Sequence, residues 1–274
     1  MFKLFNLFKH KRVKSSVDSR LFLSDIMKYK AFIATNNIKT VVFGSSHGRD
    51  CFFPTGTSFN LANSSQDLYR AYKLYEFILQ DEIKTKNLKN VVIIWSVFHS
   101  GLQLEKTREY LKCSPYKVLY NIDYACDLPI KDGDIILALK KYINTVKLPQ
   151  GYRGESLYDI IHQDTTSELV AKHVKNTKRN NNQIQYLIKM ANLAQQHNHK
   201  LFVVLPPYRS DYLKYLPPDD EIYAELFGFL NNNPNVKLLN FQRDKDFLDT
   251  DFDSADHCCL VGAKKFTKKL LKYL

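Results

Sequence analysis

The chain has 274 residues, 45% of them hydrophobic, which suffices for one sizeable α/β core and does not require a second domain. Its formal net charge of +12 favours acidic partners such as phosphorylated sugars, anionic glycans, nucleic acid or a membrane surface, although a lysine-rich solvated surface explains it equally well. The five cysteines form no C-x-x-C pair, so we expect neither a disulfide framework nor a thiolate zinc site. No apolar run is long enough for a membrane span or a signal peptide, so we expect a cytoplasmic location.

The chain begins with a basic tail, residues 1–20. Residues 1–14 interleave Phe and Leu with Lys and Arg, a pattern that can lie weakly on an anionic membrane as a short amphipathic helix. A frayed basic terminus is the simpler interpretation. A helix over Leu21 to Ala34 follows, and we expect residues 21–274 to form one domain with an insertion at about residues 101–182.

A run of apolar residues from Thr40 to Phe43 stops abruptly at the turn Gly44-Ser45-Ser46-His47-Gly48. Continuous β-branched and aromatic residues are typical of a strand that is buried on both faces of a parallel sheet. Ligands bind at the carboxyl ends of such strands, and the two glycines would let the backbone bend around Ser46. Ser46 is therefore a candidate nucleophile that needs a base, and His47 is a candidate for substrate contact.

A second short strand is expected around Ser58 to Ala62. In the block that follows, Ser64 and Asp67 are spaced nearly as in a capping box, which marks the start of a helix. The amino terminus of this helix would point to the same sheet edge as Ser46 and could hold an oxyanion, or Ser64 could simply cap the helix. The predicted buried stripe of the helix consists of Leu68, Tyr72, Tyr75 and Leu79.

A third strand, Asn90 to Trp95, ends near His99, which is a second candidate for substrate contact because polar loop residues at this edge form sites. The long excursion after it is expected to pack over the sheet edge as a lid or specificity insert. Its later part is basic, which indicates either recognition of an anionic substrate or an exposed charged face. These basic residues are Arg153, His173, Lys175, Lys178 and Arg179.

Two more strands, Lys200 to Leu205 and Val236 to Asn240, complete a predicted sheet of about five strands. The stiff loop after the first of them could place Arg209 over a carboxylate or phosphate. His197 and His199 precede that strand, at the wrong edge for the site, and a metal role would need a further ligand. We therefore expect no metal and no cofactor.

The base is expected near the carboxyl terminus, where His257 follows several aspartates and precedes a final helix. An imidazole at this position can accept the proton of Ser46 while an aspartate fixes its tautomer. The same aspartates could instead merely cap the helix or hold the loop. The inward residues of the helix are predicted to be Ala263, Phe266, Leu270 and Leu274.

Together, the glycine-serine turn, the block from Asn60 to Ser65 and the acid-rich loop ending in His257 resemble the SGNH (GDSL-like) hydrolase superfamily. More narrowly, the chain looks like bacterial members associated with acylation of surface polysaccharides such as capsules. The resemblance implies that Ser46 is the nucleophile and His257 the base. It also implies that the N–H groups of Ser46 and Ser65 hold the oxyanion, Ser65 standing where the family has glycine.

The chain departs from the family pattern in two further ways. The family's acid sits three residues before the histidine, where this chain has Ser254. Asp253 is the preferred acid and Asp256 the alternative, because a residue adjacent to the histidine usually points away from its ring. The asparagine of the family's third block has no clear counterpart, since Ser96 to His99 occupies its place, so the oxyanion hole is expected to lack one donor.

The sequence thus predicts a three-layer α/β domain, doubly wound as in flavodoxin-like folds. The resemblance implies a serine esterase or O-acyltransferase, such as an O-acetyltransferase. Its substrate would be a carbohydrate, either neutral or anionic, and a transferase would also bind an acyl donor. The alternative is a catalytically degenerate glycan-binding or assembly protein. A nucleic-acid partner, suggested only by charge, is not expected, because the chain carries no aromatic-basic RNA motif or DNA-reading helix.

Overall fold

A computed structural model describes residues 19–126, 132–156, 164–179 and 182–274 of the protein. The basic segment of residues 1–14, to which weak membrane contact is assigned above, lies outside these ranges. Within them, no helix combines the length and the apolar character needed to cross a membrane.

The centre of the fold is a sheet of five parallel strands in the order β2-β1-β3-β4-β5. This is the doubly wound strand order of flavodoxin-like folds, so the expected fold class is confirmed. The order reverses between β1 and β3, and a crevice forms at such a switch point, outside the carboxyl ends of the strands. The strands are β1 (Thr40–Gly44), β2 (Ser58–Asn60), β3 (Asn90–Ile94), β4 (Lys200–Leu205) and β5 (Lys237–Asn240).

Helices connect these strands, and the boundaries agree with the sequence pattern to within a few residues. The helices are α1 (Ser19–Ala34), α2 (Ser46–Cys51), α3 (Leu68–Leu79), α4 (Glu82–Thr85), α5 (Ser114–Tyr120), α6 (Gly133–Tyr142), α7 (Thr166–Thr177), α8 (Ile184–Gln196), α9 (Ser210–Tyr215), α10 (Asp219–Ile222), α11 (Ala224–Asn232) and α12 (Leu260–Leu270). Short 3₁₀ turns cover Leu104–Lys106, Tyr110–Cys113 and Asp249–Asp251.

The central strands β1, β3 and β4 bury side chains on both faces, which is why they contain continuous apolar runs. Successive residues of a strand point to opposite faces. Val41 and Phe43 belong to a core that includes side chains of α1, α3 and α8. Val42 belongs to a second core, which contains the inward residues of α12, Phe266 and Leu270. The sheet is therefore the middle layer of three.

The long connection between β3 and β4 covers the outer edge of β2. The N–H of Asn60 donates to the carbonyl of Arg153 at 3.0 Å. Gly154 lies so close to β2, with φ +90, that a Cβ there would sit 2.0 Å from the carbonyl oxygen of Asn60. Strand edges left open invite pairing with other chains, and this contact closes one.

Candidate active site

The turn after β1 separates two adjacent serines by exposure. Ser45 is fully buried; its hydroxyl accepts a hydrogen bond from the N–H of His47 at 3.4 Å and also contacts the hydroxyl of Ser96. Ser46, the first residue of α2, is partly exposed. Of the two serines, only Ser46 lines the cleft above the sheet.

Of the two glycines of the turn, Gly44 allows the bend that was expected, whereas Gly48 has a different role. Gly44 has a φ of +144, and a Cβ there would lie 2.5 Å from the carbonyl oxygen of Ile94. Gly48 does not bend the turn, because it lies inside α2. Its missing side chain instead lets α2 approach the sheet, since a Cβ would lie 2.9 Å from Cβ of Ala62.

Ser46 opens into a cleft of about 710 Å³ at the carboxyl ends of the strands. The same cleft is lined by Ser64 and Ser65, from the loop after β2, and by Asp256 and His257, from the loop before α12. Three segments far apart in sequence therefore meet where the parallel-sheet topology predicts a ligand site.

His257 is oriented by the residue next to it. Its Nδ1 donates to Oδ1 of Asp256 at 2.7 Å, and the hydroxyl of Ser254 donates to the same oxygen at 2.9 Å. The side chain of Asp253 is exposed, and the contact of this residue with His257 is a backbone one, at 3.0 Å. The preference for Asp253 as the carboxylate on His257 is thus wrong, and the alternative, Asp256, takes that position.

The other edge of the His257 ring faces α2. Its Nε2 lies 3.8 Å from Oδ2 of Asp50, a buried carboxylate that pairs through both oxygens with Arg49, at 2.8 Å each. Asp50 follows Ser46 by four residues, so the two occupy the same side of α2. Nε2 therefore points toward the side of α2 that carries the hydroxyl of Ser46. The sequence reading missed Asp50, although its spacing from Ser46 was visible.

The charges at this site follow from burial and pairing. Burial alone would lower the pKa of His257, but the charge and hydrogen bond of Asp256, with help from Asp50, raise it above its ordinary 6.5. Burial would raise the pKa of Asp256, but the charge and hydrogen bond of His257, with the hydrogen bond of His47, hold it well below 3.8. Asp256 is therefore an ionised carboxylate that favours protonation of His257.

Asp256 also holds a second imidazole. Its Oδ2 accepts a hydrogen bond from Nε2 of His47 at 2.9 Å, while the hydroxyl of Tyr208 donates to Nδ1 of His47 at 3.4 Å. His47 is completely buried, and burial lowers its pKa, so the ring is neutral. Contact of His47 with substrate is therefore ruled out in this structure. The residue supports Asp256 from beneath the cleft.

The two proposed oxyanion donors lie on the same cleft. Neither the N–H of Ser46 nor that of Ser65 is used in a hydrogen bond to another residue that the structure describes. Ser65 has a φ of +58, in the left-handed region that favours glycine. At this position the backbone therefore adopts a conformation that glycine adopts readily.

The loop after β2 ends in a different cap from the one expected. Asp67, not Ser64, is the N-cap of α3, and its carboxylate accepts from the N–H of Arg70 at 3.0 Å. The hydroxyl of Ser64 instead accepts from Nζ of Lys112 at 3.0 Å. The near-capping-box spacing was misleading because Asp67 is itself a strong capping residue.

Two further candidates for substrate contact do not line the cleft. His99 is completely buried, accepts from the N–H of Ser96 at 2.9 Å and donates to the carbonyl of Gln66 at 3.2 Å, while burial lowers its pKa to about 3. It holds the loops after β2 and β3 together. Arg209 forms a bidentate ion pair with Asp211, at 2.7 Å for both bonds. Both expectations are therefore corrected.

The basic residues predicted for the insertion divide into two groups. His173, Lys175 and Arg179 line the cleft, whereas Arg153 and Lys178 do not. Further cations at the cleft, Lys106, Arg108 and Lys172, were not singled out from the sequence.

One buried cluster has a composition that suits a metal ion. A ligand atom from each of His47, His173 and Asp256 lies within 4.8 Å of the others. The second nitrogen of His173, Nδ1, is 2.7 Å from the hydroxyl of Tyr212. However, the hydrogen bond of His47 already uses Oδ2 of Asp256, so a metal would have to replace it. That hydrogen bond helps to position Asp256, so a divalent metal here would change how the carboxylate that contacts His257 is held.

A scan against models of protein families found no match, and a search of the curated proteins found none either. The resemblance to the SGNH superfamily therefore rests on the residues of this chain.

Proposed function

We propose that the protein is a serine-dependent acyl ester hydrolase or O-acyltransferase that acts on a carbohydrate through an acyl-enzyme. The observation that carries the proposal is the buried Asp256–His257 pair, whose Nε2 edge is turned toward the side of α2 that bears Ser46, within one cleft. A nucleophile, a base and a carboxylate that orients the base are the parts that serine-based acyl transfer requires.

In the proposed reaction, the hydroxyl of Ser46 attacks the acyl carbonyl and gives its proton to Nε2 of His257. Asp256 stabilises the resulting imidazolium and keeps the Nδ1–H tautomer in place. The tetrahedral intermediate collapses when His257 returns the proton to the departing sugar oxygen. Water or a second sugar hydroxyl then attacks the acyl-enzyme, with His257 again as the base, and frees Ser46.

The negative charge of the tetrahedral intermediate would be held by the N–H groups of Ser46 and Ser65. The asparagine that supplies a side-chain donor in the SGNH pattern has no counterpart here. Loss of one donor of this kind typically costs about 100-fold or more in rate. We therefore expect a slow enzyme rather than a fast one.

The carbohydrate part of the proposal rests on the resemblance to SGNH proteins of surface-polysaccharide acylation, such as those of capsule synthesis. The substrate would be a polysaccharide or its precursor. All five cysteines are free thiols, which supports the cytoplasm, a reducing compartment, as the place of action.

The second candidate is a glycan-binding or assembly protein that keeps the fold without the reaction. It is favoured by Ser254, which stands where the SGNH pattern has its acid, and by the missing asparagine. The choice between the two candidates depends on whether Ser46 is activated.

Intact mass after incubation with an uncharged fluorophosphonate tests this directly. We expect one adduct on the wild type and on Ser64→Ala, a matched control in the same cleft, and none on Ser46→Ala. His257→Ala should react far more slowly. If folded wild-type protein gives no adduct at any pH between about 6 and 9, the glycan-binding candidate replaces the enzyme.

A further inference from the structure

We propose that the acylated carbohydrate is anionic, and that its carboxylate or phosphate groups bind between two cationic walls that flank Ser46. The inference deepens the proposed function by naming the substrate class. It depends on the same cleft, but the experiment below distinguishes its failure from the failure of the proposed function.

The first cationic wall is one side of α7 and the residues that follow it. Lys172 and Lys175 are spaced by three residues, so they lie on one face of α7, and Arg179 follows two residues after the helix ends. All three are exposed, and all three line the cleft. Leu169 and His173, from the same face, form the buried base of this wall.

The second cationic wall comes from the segment after β3. Lys106 and Arg108 are exposed and line the same cleft, so cations from two separate segments border the space that contains Ser46. Positive charges that line one concave surface reinforce each other's field inside it, which raises the local concentration of anions.

Nearby acids compensate these walls only in part: Nζ of Lys172 lies 3.9 Å from a carboxylate oxygen of Asp164, in an exposed ion pair of small energy. Glu109 is on the cleft, but its carboxylate is already 2.7 Å from Nζ of Lys112, which holds its pKa below the ordinary value together with the hydroxyl of Ser65. Asp256 is bound by two imidazoles. In the described ranges, no ion pair within 4.0 Å involves Arg108, Lys175 or Arg179. Their charge is therefore available to a ligand.

The cationic helix α7 is fixed to the rest of the domain at both ends. Near its start, Thr166 donates to Asp211 at 2.7 Å, and in its middle His173 contacts Tyr212 at 2.7 Å. At its end, the hydroxyl of Thr177 donates to the carbonyl of Val97 at 2.8 Å. The backbone that carries the charges is thus already positioned relative to Ser46, so anion binding does not have to order it.

The shape and lining of the cleft favour an anionic sugar over nucleic acid. Proteins that bind single strands stack bases on exposed aromatic rings. Among the described lining residues, the aromatic side chain other than histidine is Phe98, which is 8% exposed. A sugar ring with an acidic substituent needs no such platform, since its charge can meet a cation while its ester reaches Ser46.

Protection from fluorophosphonate labelling tests the proposal. The competitors are oligogalacturonate for carboxylates, a polyglycerol-phosphate oligomer for phosphates, and a neutral malto-oligosaccharide of similar length. We expect at least one anionic competitor to slow labelling of the wild type and the neutral competitor to have little effect. Adding 0.5 M NaCl should weaken this protection, because it shortens the screening length to roughly a few ångströms.

Charge-neutralised variants give the matched comparison. Lys175→Gln and Arg179→Gln should each weaken protection about 2- to 5-fold, and the double variant about 10-fold, as expected for exposed charge pairs. Lys178→Gln is the control. Lys178 lies between these two residues in sequence and is 68% exposed, but it pairs with Glu221 at 3.7 Å and does not line the cleft. This variant should therefore behave like the wild type.

Four outcomes would overturn the proposal. The first two are equal protection by neutral and anionic oligomers, and no protection by either anionic oligomer. The others are a loss of protection in Lys178→Gln as large as in Lys175→Gln or Arg179→Gln, and stronger protection by single-stranded DNA than by either anionic glycan. If the wild type does not label at all, fluorescence anisotropy with labelled forms of both anionic oligomers replaces protection. Binding of either that is lost in the double variant would then support the anion site without the esterase.

Discussion

Asp256 and His257 are neighbours in the chain, yet their side chains meet through a hydrogen bond of 2.7 Å. The loop makes this possible by folding back on itself, with an antiparallel bridge between Phe252 and Cys258. Within it, the N–H of Asp253 donates to the carbonyl of His257 at 3.0 Å. An adjacent carboxylate can therefore do what the SGNH pattern assigns to one three residues earlier.

The first prediction concerns the acid. Replacing Asp256 by Asn should slow fluorophosphonate labelling of Ser46 by about 10³-fold or more, because the amide neither stabilises the imidazolium nor favours the Nδ1–H tautomer. Replacing the exposed Asp253 by Asn should change the rate less than 2-fold, about 0.4 kcal/mol or less. Labelling rates measured by intact mass check both.

The two variants are a matched pair, since each replaces one carboxylate of the same loop by an isosteric amide. Circular dichroism should show both to be folded. Equal rates for the two variants would remove Asp256 from the mechanism, and a larger loss in Asp253→Asn would restore the residue that the sequence favoured.

The second prediction concerns pH. The pKa of His257 is raised above 6.5, and the ring must be neutral to accept a proton. Labelling should therefore rise with pH through a midpoint above 6.5 and be lost below it. In Asp256→Asn, the loss of the neighbouring charge should move the residual midpoint downward. A wild-type midpoint below 6.5 would contradict the pairing.

The same raised pKa has a consequence for folding, with the opposite dependence on pH. Protonation of His257 is more favourable in the folded protein, so its contribution to stability is fully present below pH 6.5 and is lost as pH rises through the folded pKa. Labelling should thus improve over the pH range in which this contribution declines. Urea unfolding of wild type and His257→Gln across that range separates the two effects.

The third prediction concerns the oxyanion loop. Ser65 has a φ of +58, which costs a non-glycine residue about 1 kcal/mol. Ser65→Gly should keep the backbone N–H in place, retain labelling within about 2-fold and leave stability unchanged or raised by up to about 1 kcal/mol. Chemical unfolding and labelling measure the two properties.

Ser64→Gly is the control for this variant, because Ser64 precedes Ser65 but does not have a positive φ. It should gain no stability. A loss of labelling in Ser65→Gly would mean that the hydroxyl of Ser65, rather than its N–H, acts at the site.

The fold was predictable because its determinants are local and periodic. The strands Thr40–Gly44 and Lys200–Leu205 each contain a continuous apolar run, and a parallel sheet covered on both faces requires such runs. The meeting of Ser46 and His257 in one cleft also follows from topology, since both stand at the carboxyl edge of the sheet. The general rule that ligands bind at the carboxyl edge of a parallel sheet is thus enough to predict that these two residues share a cleft.

The errors concern side-chain directions that depend on loop geometry. Nothing in the spacing of the aspartates shows that the loop folds back and turns Asp256 toward His257. Likewise, His47 and His99 are polar residues at the site edge, yet both are buried because their ring nitrogens bind other protein groups. The spacing of Lys172, Lys175 and Arg179 was visible in the sequence, but the cleft they face was not.

The last prediction concerns the cluster of His47, His173 and Asp256. Both oxygens of Asp256 accept hydrogen bonds from imidazoles at ordinary distances, 2.9 and 2.7 Å, and in the proposed mechanism this arrangement prepares His257 as the base. Prolonged dialysis against a chelator should therefore leave the labelling rate of Ser46 unchanged. Added Zn²⁺ should slow labelling if it enters the cluster, because a cation bound to Asp256 would withdraw negative charge from the carboxylate that stabilises the His257 imidazolium. Labelling that is abolished by the chelator and restored by Zn²⁺ would instead assign a metal to these three residues, and His173→Gln should then abolish the restoration.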